Sequence, residues 1–246
     1  MNKISRLNSV YEIVKVAPHR ISKIMIQKDI RKGRIDEIID LARKQKLPLL
    51  YVPRKHLDRM DRKHQGLIAF VAQKEYSSLD DIISQSENPM IVLLDGIEDP
   101  QNLGAIIRTA VCAGADGIIL PERRTSGLTD VVAKVSAGGL EHIKVAQVTN
   151  LARTIDLLKK KGFWVVGAEA DGEKMWDAFD FTGPVALVFG SEGKGIRHLS
   201  RDNCDVILSL PIKSDIGSLN VSAAAAVFMY EVVRQRKKQN TNRSSK

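Results

Sequence analysis

Five polar residues stand where apolar runs give way to helical segments, at places where chemistry is possible. Asn102 and Arg108 lie within Asn102-Leu103-Gly104-Ala105-Ile106-Ile107-Arg108-Thr109-Ala110, Glu192 lies in Gly190-Ser191-Glu192-Gly193-Lys194-Gly195, and Ser218 and Asn220 precede an alanine-rich run. An arginine buried in an apolar helix demands an anionic partner. Glu192 could supply it, so an internal Arg108–Glu192 ion pair stands beside a ligand-binding role. Asn102, Ser218 and Asn220 could likewise be helix caps. Two nucleotide signatures are excluded: Gly195 is followed by Ile196 where a phosphate loop needs Lys-Ser or Lys-Thr, and Gly193 and Gly195 do not continue into GxGxxG. Cys112, Cys204 and the five histidines have no metal-ligand spacing, so no metal is expected.

Stepping along the chain, apolar runs supply the strands that would carry these residues. In the first part they are Lys23 to Ile26, Leu49 to Val52 and Gln65 to Val71, with helical spacing at Ser9 to Val16 and Ile35 to Ala42. Further on come Met90 to Leu94, Gly117 to Leu120, Ile143 to Val145, Trp164 to Gly167, Val185 to Phe189 and Val206 to Leu210. Helices are predicted between them, at Ala105 to Ala113, Thr129 to Val135, Asn150 to Lys161, Ile196 to Asp202 and Val221 to Arg236. Such alternation predicts an α/β fold with a parallel sheet, and ligands of such sheets bind beyond the strand ends. The five polar residues fall there.

Residues 1 to 76 carry 18 Lys and Arg against 8 Asp and Glu, residues 77 to 233 carry 14 against 21, and the last 13 residues carry six basic residues and no acid. A compact basic segment is the footprint expected for a polyanion, with RNA or DNA the leading class. Two domains are expected: residues 1–76, a linker at 77–89, a second domain at 90–236 and a disordered basic tail at 237–246. With no apolar leader and no run long enough to span a bilayer, a soluble cytoplasmic protein with reduced core cysteines is expected.

Taken together, the Asn102 to Ala110 stretch, Leu187-Val188-Phe189-Gly190-Ser191-Glu192-Gly193, and Leu210-Pro211-Ile212 followed by Ser218-Leu219-Asn220-Val221-Ser222 resemble the three motifs of the SpoU/TrmH family of RNA ribose 2'-O-methyltransferases, in the SPOUT superfamily. His64-Gln65-Gly66 and Asn150-Leu151-Ala152-Arg153-Thr154 look like the RlmB subgroup, which methylates a guanosine in 23S ribosomal RNA. The resemblance implies a deep trefoil knot in the second domain and an L30e-like RNA-binding first domain. It also implies S-adenosyl-L-methionine as cofactor, held by Gly190, Leu210 and Leu219, and a homodimer whose active site draws on both chains. It assigns Arg108, Asn102, Glu192, Ser218 and Asn220 to catalysis. Arg108 would activate the hydroxyl or clamp a substrate phosphate, the latter suiting a group that is always protonated. The alternatives are a transfer RNA 2'-O-methyltransferase and a ribosomal-RNA-binding protein without catalysis.

Overall fold

The computed structural model describes residues 2–30, 33–213 and 217–244. The chain divides into two units, Met1–Glu75 with Gly127–His142, and Tyr76–Ser126 with Ile143–Lys246.

The first unit begins with β1 (Asn2–Ile4), α1 (Leu7–Val16), β2 (Ile21–Gln27), α2 (Gly33–Lys44), β3 (Leu49–Val52), α3 (Arg54–Asp58) and β4 (Leu67–Val71). Its sheet has the order β1-β4-β2-β3, with β2 and β3 parallel and the other pairs antiparallel. Val10, Ile13 and Val14 of α1 and Ile35, Ile38, Ile39 and Ala42 of α2 recur at helical spacing and are buried. Before β4, the His64 ring accepts from Gly66 N at 3.0 Å and lies 3.0 Å from Asp58 Oδ1, while Gln65 Oε1 accepts from Leu7 N at 3.1 Å. Gly66 has φ 103°, and a side chain there would strike Ile30. His64-Gln65-Gly66 therefore clasps the entry to β4, with the His64 side chain 2% exposed.

The second unit contains α4 (Leu79–Ile83), β5 (Met90–Asp95), α5 (Pro100–Ala113), β6 (Gly117–Pro121), β7 (Lys144–Val148), α7 (Leu151–Lys160), β8 (Trp164–Ala168), β9 (Lys174–Met175), β10 (Val185–Gly190), α8 (His198–Asp202), β11 (Val206–Ser209) and α9 (Val221–Ser244). The sheet runs β7-β6-β5-β10-β8-β11-β9, and each pairing is parallel. β10 lies between β5 and β8, with Val188 opposite Leu93 on one side and Gly167 on the other. Its unbroken apolar run is what burial on both faces requires. α5 starts at Pro100 behind the Asp99 cap and stops at Gly114, which has φ 74°.

Three expectations need correction. The stretch 77–89 is built into the second unit: Ser78 forms a capping box for α4, and Ile82 is completely buried in the core beside Ile91, Leu93 and Ile119. The helix expected at Thr129 to Val135, here α6 (Asp130–Val135), packs with the first unit. Within that unit Arg20 pairs with Glu141, Lys74 Nζ donates to the Leu140 carbonyl, and His142 Nε2 lies 2.8 Å from Glu12 Oε2. The tail is helical through Ser244, because α9 meets no proline or glycine after Val221 and its Lys, Gln and Arg residues sustain helix. Arg236 fastens that helix to the second unit, donating to the carbonyls of Asn88, Phe181 and Gly183.

Candidate active site

Asn102, in the first turn of α5, donates from Nδ2 to Glu192 Oε1 at 3.0 Å. Asn220 Nδ2 donates to Asn102 Oδ1 at 2.9 Å and to Glu192 Oε1 at 2.7 Å. The three motifs thus meet in one hydrogen-bonded trio, formed beyond the ends of β5, β10 and β11. Asp99 caps α5, so Asn102 is no cap; its amide is spent on the trio. Asn220 also fulfils the capping reading, since its Oδ1 accepts from Ser222 N at 2.9 Å at the start of α9. Glu192 Oε2 makes no hydrogen bond among the described residues.

Beside the trio lies a cavity of about 550 Å³, lined by Gly190, Glu192, Leu210, Ser218 and Leu219 among others. Its size and mixed lining, with Leu210, Ile212, Leu219 and Phe228 as apolar wall and Glu169, Asp171, Glu192 and Arg201 as charged groups, suit a medium-sized organic ligand that carries polar groups. Gly190 is required by the fold of the loop, because a side chain there would run into the backbone of Gly195. Ser191 and Gly195 close that loop by exchanging backbone hydrogen bonds of 3.1 and 2.9 Å.

Arg108 departs from expectation. It is exposed on α5 and forms no ion pair with Glu192 among the described residues. Glu192 is satisfied by two amides instead. Asn102 and Arg108 are six helical positions apart, which places them about 120° apart around the axis, on different faces. Cys112 shares the outward side of α5 and is exposed, so it is no core thiol. Ser218 borders the cavity without joining the trio.

The SpoU rRNA Methylase family matches residues 89–230, and the family described as RNA 2'-O ribose methyltransferase substrate binding matches residues 7–77. YacO of Bacillus subtilis (strain 168), named for the TrmH family of tRNA/rRNA methyltransferases, is 46% identical over 234 residues, 93% of this chain and 94% of its own length. The chain belongs to the SpoU/TrmH family of RNA methyltransferases. A SpoU/TrmH relative from Staphylococcus haemolyticus (strain JCSC1435) is 45% identical over 226 residues, covering 90% of this chain and 91% of the relative. Among solved structures, the SpoU methyltransferase AviRb of Streptomyces viridochromogenes, in complex with AdoMet, superposes with a TM-score of 0.82 at 24% identity, covering 96% of this chain and 90% of AviRb. An AdoMet-bound rRNA methyltransferase of Sinorhizobium meliloti gives 0.79 at 24% identity, with 95% and 87% covered. These superpositions establish the fold. Methyl transfer in the SpoU family draws on S-adenosyl-L-methionine.

In this SpoU/TrmH chain two carboxylates that sequence reasoning passed over fix the loop carrying Glu192. Glu169, just beyond β8, accepts from Ile196 N at 2.6 Å and pairs with Arg201. Asp95, the last residue of β5, accepts from Arg197 N at 3.1 Å and meets Arg197 Nε at 3.1 Å. β10 lies between those two strands, so its returning loop is pinned from both sides. Arg201 also holds Asp171, whose carboxyl that bond keeps below the usual range. The available signal was an acid closing each apolar run, Met90 to Asp95 and Trp164 to Glu169. Among the described residues no group of three metal-binding side chains forms, and no helix is long and apolar enough to cross a membrane.

Proposed function

We propose that this chain methylates the ribose 2'-hydroxyl of a guanosine in 23S ribosomal RNA, as a cytoplasmic homodimer using S-adenosyl-L-methionine. The observation that carries the reading is the Asn102–Glu192–Asn220 trio at the edge of the 550 Å³ cavity. The residues fit the cofactor: Gly190 lets the loop that borders the cavity fold back closely, Leu210 and Leu219 offer apolar wall to a purine, and Glu192 places negative charge near a sulfonium. When bound, the cofactor supplies an electrophilic methyl group. The chain supplies orientation: with Oε1 held by two amides, Glu192 offers Oε2 to the ribose hydroxyl, and Ser218 adds a further polar contact. Asn102 and Asn220 keep Glu192 from swinging away.

The outward position of Arg108 supports a site completed by a second copy. Arg108 and Cys112 of α5 and Tyr230 of α9 face outward from two helices that pack together, and one such face meeting another would bring a guanidinium to the neighbouring site, where it clamps a phosphate. The first unit, basic and matched to the family of substrate-binding domains, would grip the RNA as an L30e-like module. We also infer the trefoil knot, in which the chain after β11 threads a loop. The test is transfer of a labelled methyl from S-adenosyl-L-methionine to ribosomal and transfer RNA, followed by nucleoside analysis. The expected product is 2'-O-methylguanosine in the ribosomal RNA; label in transfer RNA alone overturns the ribosomal assignment, and no label in either overturns the enzymatic one.

A further inference from the structure

Asn102 and Glu192 also border a second cavity, of about 250 Å³, whose rim carries Glu98, Asp99, Ser191 and Lys194. Asp99 is committed to Gln101 N at 2.9 Å. Glu98 and Lys194 are exposed and make no hydrogen bond or ion pair among the described residues. Glu192 therefore stands between a larger cavity and a smaller one, and the smaller one holds an anion and a cation without partners. We propose that the smaller cavity is the acceptor-nucleotide subsite, in which Lys194 takes a phosphate and Glu98 reads the edge of a guanine base. The inference rests on the methyl-transfer reading above.

The chemistry is specific. An enzyme that must reach a ribose within RNA takes an unstacked nucleotide and reads its Watson–Crick edge. Guanine presents two adjacent donors there, N1–H and the N2 amino group, whereas adenine, cytosine and uracil each present an acceptor among the corresponding positions. An ionised carboxylate only accepts, so both oxygens of Glu98 can be used by guanine. A ribose against Glu192 has its base on one side and its phosphate on another, and these are the two groups that Glu98 and Lys194 match.

The experiment uses the full chain with S-adenosyl-L-methionine and two ribosomal RNA transcripts, one of them with guanosine replaced by inosine, which lacks the 2-amino group. The wild type is expected to methylate guanosine about 10- to 100-fold faster than inosine, the discrimination typical of one bidentate contact. Glu98→Gln, which adds a clashing donor, should lose a comparable factor on guanosine and most of the guanosine–inosine difference. Calorimetric affinity for S-adenosyl-L-methionine should stay unchanged. Lys194→Ala should raise KM for RNA and reduce its salt dependence. Equal rates on guanosine and inosine in the wild type, or a Glu98→Gln rate equal to wild type, would overturn the proposal while leaving methyl transfer intact. A wild type that transfers no methyl to either transcript would instead defeat the underlying functional reading.

Discussion

The Asn220 amide works at both ends, with Nδ2 shared between Asn102 and Glu192 and Oδ1 receiving Ser222 at the start of α9. The two jobs separate by substitution. Asn220→Ala loses both, so a cap loss of about 1 kcal/mol is expected along with a methyl-transfer rate reduced at least about tenfold. Asn220→Asp keeps the cap oxygen but sets a second carboxylate against Glu192; it should melt near wild type while turning over more slowly than Asn220→Ala. Thermal melts beside initial rates check this pair. Cys204 is a different case, a thiol pushed up to about 12 mainly by burial, in a core with Ile155, Phe163 and Val165. A raised thiol pKa means that its contribution to stability is intact below the unfolded value, near 8.5, and declines as pH rises toward about 12. Melting temperature should therefore fall from pH 9 to 11 more steeply in wild type than in Cys204→Ala, and at pH 8 iodoacetamide should leave folded Cys204 unmodified.

At the scale of elements, the loop after β10 is held by Glu169 from beyond β8 and Asp95 from β5, which makes the two flanking strands the reference frame for Glu192. Glu169→Gln retains an oxygen for Ile196 N but gives up the charge facing Arg201, whereas Glu169→Ala gives up both. The expected order of KM for S-adenosyl-L-methionine is wild type below Glu169→Gln below Glu169→Ala, the last raised about tenfold or more if the loop loses one charge-assisted bond. A KM unchanged in Glu169→Ala would show that the loop holds itself. Much of this frame was legible beforehand, because buried parallel strands are apolar runs and the three motifs sit at their ends. What escaped the sequence depends on partners far along the chain. α6 reads as any short amphipathic helix, and only packing assigns it to the first unit; Ile82 reads as part of a polar linker until its core neighbours are known. Arg108 misled for a related reason: apolar neighbours in α5 suggest burial, yet the helical repeat turns its side chain outward.

For the whole molecule, an outward Arg108 and a trio on another face of α5 give opposite predictions for one chain and for two. If each site is completed within its own chain, two inactive variants stay inactive when mixed. If Arg108 serves the site of a second copy, mixing Arg108→Ala with Glu192→Ala generates heterodimers in which one site has lost both groups and the other has wild-type Arg108 and Glu192. Random exchange makes half of the dimers mixed, and each mixed dimer carries one intact site of two, so activity should recover to about a quarter of the wild-type level per chain. Subunit exchange must be allowed, so the two variants are co-expressed with different tags and the doubly tagged species is assayed directly; there the expected activity is about half of wild type. Sedimentation of the same sample reports whether a dimer forms. A doubly tagged dimer that stays inactive would return Arg108 to its own chain, where its distance from the trio could be crossed only by the RNA itself, with the phosphate held on one face of α5 and the ribose on the other.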